Sequence, residues 1–218
     1  EVERAKKKAA QAERKAAGLP HYIRELEPDH WEDRTPEEYE PYLPKGDKWK
    51  ERYDEPEPPD TEDLPELREG WLWASLEELS THIVDCLHST PEFTSEGKYC
   101  IDTNSIEPGR IILDEARLVS RETFEERIRR LKPEEGDIIF AREGTIGTAV
   151  QVPADVDLCL GQRVMLYRPA TGILSRYFMW AMLSSLFEAQ WRSKVTGTTA
   201  PHVNIRDLRS MSLPLPPL

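Results

Sequence analysis

Cysteine is scarce: Cys86, Cys100 and Cys159 are the only three in 218 residues. An odd number, in a chain long enough to bury its own core, argues against a disulfide-stapled secreted fold and for a reducing, cytoplasmic setting. Long apolar runs are missing too, and without a stretch of about 18 such residues no membrane-spanning helix is expected. The N-terminus is charged and alanine-rich rather than apolar, so no export signal is expected either. The familiar catalytic signatures are absent: no Walker-type phosphate loop, no G-x-G-x-x-G, no G-x-S-x-G, no H-E-x-x-H. The Asn/Asp-Pro-Pro-aromatic tetrapeptide of amino-methyltransferases is missing as well.

What the chain has is charge, unevenly spread. Lys and Arg total 29 against 41 Asp and Glu, a net of −12. Residues 1–70 carry 13 basic and 21 acidic groups and nine of the 18 prolines. Residues 161–218 reverse the sign, with seven basic groups against Glu188 and Asp207. The overall acidity therefore does not exclude a nucleic-acid partner, because the field that steers a ligand is local.

A chain of this length holds one ordinary domain and an appendage. Val2, Ala5, Ala9, Ala12 and Ala16 recur at spacings of three and four, an apolar seam on a helix that Gly18 and Pro20 terminate. Residues 1–18 thus read as the end of a coiled-coil element, or as a charged helix exposed to solvent. Residues 19–63 read as an acidic, proline-rich linker whose Trp31, Tyr39, Tyr42, Trp49 and Tyr53 are suited to docking on a surface. The folded domain is expected over residues 64–218, a mixed α/β (α+β) unit of short twisted strands and helices. Helices are expected at 73–84, 120–131, 177–191 and 206–208. Strands are expected at 99–102, 111–113, 137–140, 149–152, 163–167 and 211–215.

Three constellations carry chemistry. His82, Cys86, His88 and Cys100 are four zinc-capable side chains, but they lack the tight C-x-x-C pairs of structural sites, and a cysteine on an apolar strand is usually a small hydrophobe. Asp85 with Glu96-Gly-Lys98 matches the loose pattern of a metal-dependent nuclease, although a glycine inside the motif suits a surface turn better than a rigid strand. The third is a set of polar loops. Thr196, Gly197, Thr198, Thr199, His202 and Asn204 lie in one hydroxyl-rich segment flanked by Lys194 and Arg206, while Gln162-Arg163 and Arg142 with Thr145 add donors elsewhere. Small hydroxyls and backbone N–H groups suit phosphates; Asn, Gln and Arg can read base edges. The bland alternative is a set of turns and helix caps.

Six blocks in register resemble a known family. They are Asp85-Cys-Leu-His-Ser-Thr-Pro91, Pro133-Glu-Glu-Gly-Asp-Ile-Ile-Phe-Ala-Arg142, Gly144-Thr-Ile-Gly147, Leu160-Gly-Gln-Arg163 running to Pro169, Gly197-Thr-Thr-Ala-Pro-His-Val-Asn204 and Leu213-Pro-Leu-Pro-Pro-Leu218. Together they resemble the target recognition domain of type I restriction–modification specificity subunits. The resemblance implies a non-catalytic reader of double-stranded DNA, one half of a bipartite site per domain. Adenine-N6 methyltransferase subunits would supply S-adenosylmethionine chemistry, and a restriction/translocase subunit would use ATP and Mg²⁺. With one recognition domain present, the resemblance implies a fragment, half a subunit, or a half-size subunit that pairs with a second copy. Two alternatives stay open: the Asp85/Glu96/Lys98 nuclease, and a protein-interaction fragment that does not read sequence.

Overall fold

A computed structural model describes residues 58–59 and 61–217. The alanine seam, most of the acidic linker and its five aromatic residues lie outside these described residues. After a strap that places the Pro65 carbonyl 3.2 Å from the Trp73 indole nitrogen, the chain enters β1 (Leu72–Ser75) and β2 (Ser80–Asp85). There follow β3 (Phe93–Thr94), β4 (Lys98–Ile101), the hairpin β5 (Ile106–Glu107) and β6 (Arg110–Ile111), and β7 (Arg117–Val119). Next come α1 (Arg121–Arg127), β8 (Ile138–Ala141), β9 (Ala149–Gln151), β10 (Leu158–Leu160) and β11 (Val164–Pro169). The described chain closes with α2 (Ser175–Met182), α3 (Ser185–Ser193), α4 (Ile205–Ser210) and β12 (Ser212–Leu215).

The strands form two four-stranded sheets and two small pairs. The main sheet is antiparallel throughout, in the order β2-β11-β8-β9. The second has the order β10-β4-β7-β3, with β10 and β4 parallel. β1 pairs with β12, bringing the two ends of the domain together.

Side-chain alternation explains how these parts stack. Side chains on a strand point alternately to opposite faces. Ile138 and Phe140 of β8, with Met165 and Tyr167 of β11, face Phe178, Met182, Phe187 and Trp191 of the helices. Ile139, Ala141, Val164 and Leu166 face the other way, onto Ile101, Leu158 and Leu160 of the second sheet. The intervening residues Cys100 and Cys159 point outward from that sheet, onto Phe124 of α1. The layers are therefore helices, sheet, sheet, helix. A sheet covered on both faces reads as a continuous apolar run, which is why 138–141 shows no polar alternation.

The expected mixed architecture is present, with local differences. Residues 73–84 do not form a helix. Ser75 and Glu78 make the reciprocal capping bonds of a helix start, at 2.7 and 3.2 Å, and Leu79 N–H donates to the Ser75 carbonyl. The turn then stops, because Ser80-Thr-His-Ile-Val-Asp85 pairs along β11 instead. The stretch 177–191 is two helices: Ser184 breaks it, and its hydroxyl accepts the Phe187 N–H. The helix at 120 starts where expected, with the Ser120 hydroxyl accepting from Thr123 N–H, but ends at Arg127. At 111–113 the strand ends at Ile111, and Leu113 opens a 3-10 turn. Strands β1, β2, β3, β5, β7 and β10 are additions to the expected set.

Candidate nucleic-acid interface

The strand directions gather loops at one end of both sheets. β2 and β8 run antiparallel to β11, so their C-terminal ends lie beside its start. β10 runs parallel to β4 and leads into β11 through Gly161-Gln162-Arg163. The loops at 86–91, 142–148 and 161–163 consequently share one edge.

Residues 196–204 join them as an extra ribbon. Thr196 and His202 exchange both backbone hydrogen bonds at 2.9 Å, closing a small hairpin around the exposed Thr198 and Thr199. Gly197 sits in the left-handed region (φ +85°), where an added Cβ would lie 2.6 Å from the Ala200 carbonyl oxygen. His202 bridges Glu143, and Val203 N–H donates to the Arg142 carbonyl at 3.0 Å. The Arg142 N–H donates in turn to the Arg163 carbonyl, also at 3.0 Å. One backbone residue thus ties three segments together.

The sequence matches the type I restriction modification DNA specificity domain over residues 85–218, well over half of the chain. The chain belongs to this DNA specificity family. Among curated protein sequences, none matches it significantly. Among solved structures, a chain from a type I R-M system described by its complex assembly and conformational transition aligns at TM-score 0.50 and 17% identity, covering 72% of this chain and 37% of that one. The HsdS subunit from Thermoanaerobacter tengcongensis aligns at 0.48 with 18% identity, over 71% of this chain and 35% of that one. The type I S subunit from M. genitalium aligns at 0.46 with 16% identity, over 69% and 36%. At these identities the first likeness speaks for the fold. The chain spans little more than a third of the length of these proteins.

Within the specificity domain, two of the expected contact residues are engaged internally instead. Arg142 is buried; its Nε donates to Asp85 Oδ1 at 3.0 Å and an Nη to Oδ2 at 3.4 Å. His88 Nε2 lies 3.1 Å from the same carboxylate. A guanidinium held in this way is a strut of the loop edge, not a donor facing outward. Gln162 is committed at both ends of its amide: Nε2 donates to the His88 carbonyl at 2.7 Å, and Oε1 accepts from Thr90 at 3.3 Å.

The remaining expected residues are exposed, except His202, which is half-buried. Arg163 is exposed, in a left-handed conformation rare for a residue with a side chain (φ +68°), with Nε 3.3 Å from Glu143 Oε1. Thr145, Thr196, Gly197, Thr198 and Thr199 are exposed, and so is Lys194 at the C-terminal cap of α3. His202 Nδ1 lies 3.0 Å from the Ala200 carbonyl, which places the proton on Nδ1 and leaves Nε2 as an acceptor when the ring is neutral. Asn204 caps α4 by position, but its side-chain amide donates to Asp207 at 3.3 Å. Arg206 is exposed on α4. Sequence reasoning missed the exposed segment His88-Ser89-Thr90 as part of this edge, although it carries the same small hydroxyls and imidazole as 196–204.

The other two constellations come apart. Asp85 faces Arg142 at the end of the main sheet, whereas Lys98 lies in the second sheet with its ammonium 2.7 Å from Asp157. Cys100 is buried opposite Cys159 in the β4–β10 register, and His82 Nδ1 lies 3.2 Å from the Thr81 hydroxyl. Among the described residues, no three His, Cys, Asp or Glu side chains are placed to hold a metal ion. No described helix is long and apolar enough to cross a membrane.

Proposed function

We propose that this chain reads one half of a bipartite DNA target for a type I restriction–modification complex and contributes no chemistry of its own. The observation that carries this reading is the loop edge. Segments as far apart in sequence as Arg142 and Val203 are bonded backbone to backbone, so that Arg163, Thr145, Thr198, Thr199 and His202 share one rim of the domain. Exposed hydroxyls and backbone N–H groups, with Lys194 and Arg206 beside them, are suited to phosphates and fix register. Arg163 and His202 are the side chains suited to base edges in the major groove. In this reading, adenine-N6 methyltransferase subunits bring S-adenosylmethionine, a translocating restriction subunit brings ATP and Mg²⁺, and the complex works in the cytoplasm. A second recognition domain, in a partner or in a second copy of this chain, reads the other half.

The test is selection from a random duplex library at fixed moderate salt, with and without the adenine methyltransferase subunit. Enrichment of a short half-site supports direct reading. Enrichment only with the methyltransferase subunit means that the domain reads when clamped. No enrichment in either case contradicts the proposal.

A further inference from the structure

Arg127 is a charged side chain buried inside the domain. It closes α1 on the outer side of the second sheet and is 8% exposed, with no ion pair among the described residues. A buried guanidinium persists only where its donors are satisfied. Here the partners are all backbone carbonyls, and they come from two loops. One Nη donates to Leu160 at 2.9 Å and to Gly161 at 3.5 Å; the other donates to Ser89.

Those loops hang from different sheets, since residues 88–90 follow β2 of the main sheet and residues 161–163 follow β10 of the second. On the neighbouring residues Gln162 repeats the same link, bonding the His88 carbonyl and the Thr90 hydroxyl. His88, Ser89 and Thr90 are therefore each held to the 160–162 turn, and the next residue is Arg163. That residue's left-handed backbone persists only where its surroundings over-determine it. Gly161 N–H, bonded to the Ile101 carbonyl at 2.6 Å, fixes the other side of the turn.

We infer that Arg127 is the positioning residue of the DNA-reading edge. It locks the His88–Thr90 segment, an additional contact segment, in register with Arg163, so that discrimination between sequences depends on it while general duplex affinity does not. The inference rests on the reading proposed above. The physical basis is the difference between the two kinds of contact. Phosphate contacts tolerate small displacements, because they follow charge. Bidentate base contacts need defined donor geometry, and losing one such contact corresponds to about a tenfold loss of discrimination.

The experiment uses the full chain and two duplexes: the one enriched by the wild-type protein, and a scrambled sequence of the same length and composition. Arg127→Met should lower the ratio of the two affinities about tenfold or more while leaving the scrambled-duplex affinity within about twofold. Arg127→Lys keeps the charge but offers one nitrogen in place of two, and should fail to restore the ratio. Thermal melting establishes that each variant is folded at the assay temperature, and the lysine variant carries the comparison where the methionine variant is not. Equal losses on both duplexes mean a merely structural residue and overturn the inference. So does a wild-type ratio in either folded variant. A wild-type protein that enriches no duplex, with or without the methyltransferase subunit, overturns the parent reading and this inference with it, an outcome distinct from a preference that the variants retain.

Discussion

Replacing Asp85 by alanine separates the strut described here from the nuclease that the sequence pattern allowed. Asp85 and Arg142 side chains are each 9% exposed and meet at 3.0 Å. Removing one partner of a buried pair leaves the other charge uncompensated, a loss of about 3–5 kcal/mol. For a domain of this size each 1 kcal/mol moves the midpoint by about 2–4 °C, so the melting temperature should fall by roughly 10 °C. Replacing both residues together, Asp85→Leu with Arg142→Leu, removes the stranded charge and should recover most of that loss. Chemical denaturation of the wild type, Asp85→Leu, Arg142→Leu and the double variant reads the coupling directly. A loss under about 0.5 kcal/mol in Asp85→Ala would match an exposed pair and refute the strut. A double variant no better than Asp85→Ala would refute it as well. Because the Arg142 backbone also joins Arg163 to Val203, Asp85→Ala should weaken sequence-specific binding.

Other expectations follow from single sites. Gly147 has φ +93° and its Cβ would sit 2.6 Å from the Trp191 ring, whereas Gly172 has φ +92° with open space around it. Gly147→Ala should therefore cost more than Gly172→Ala, which isolates the backbone strain of about 1–3 kcal/mol; equal losses in denaturation would contradict the contact with Trp191. Lys98 and Lys132 hold the Asp157 carboxyl below its usual range. Its folded pKa is lowered, so its contribution is present above the ordinary value near 4 and disappears as pH falls through the lower one. Melts of wild type and Asp157→Asn should thus differ slightly at pH 6 in low salt, converge in high salt and converge in acid; a difference that grows as pH falls would contradict the assignment. Burial, and then the Asp85 charge, push the Cys86 thiol up, and all three cysteines are buried and free. A thiol reagent at neutral pH should label none of them in the folded protein and all three after denaturation, read by mass spectrometry. Arg163→Ala should lower specific binding by about 1–3 kcal/mol where the side chain reads a base, whereas a phosphate contact would weaken all duplexes alike and flatten the salt dependence.

Three of the main sheet's four strands, β8, β9 and β11, were legible because burial on both faces writes a continuous apolar run, as at Asp137-Ile-Ile-Phe-Ala141, and turns write glycines. The Ser120 start was legible from its cap. The helix expected at 73–84 failed because the Ser75–Glu78 capping signal is real but local, and pairing with a strand more than eighty residues away overrides it. The loop edge was legible as a set of donor-rich segments. Which donors face outward was not: Arg142 turns inward to an aspartate 57 residues away, and Gln162 spends its amide on residues 88 and 90. Such commitments depend on tertiary neighbours, and residue type alone does not carry them. The same holds for Arg127, which reads in sequence as an ordinary helix-end cation.

The central claim, that one end of the two sheets forms the DNA-reading edge, is tested most directly by amide chemical-shift mapping on addition of the enriched duplex. The account predicts shifts at residues 88–90, 142–147, 161–163 and 196–204, and none at residues 153–157 and 170–174, the loops at the opposite ends of the same strands. Shifts concentrated at 153–157 and 170–174 with the first set silent would contradict it.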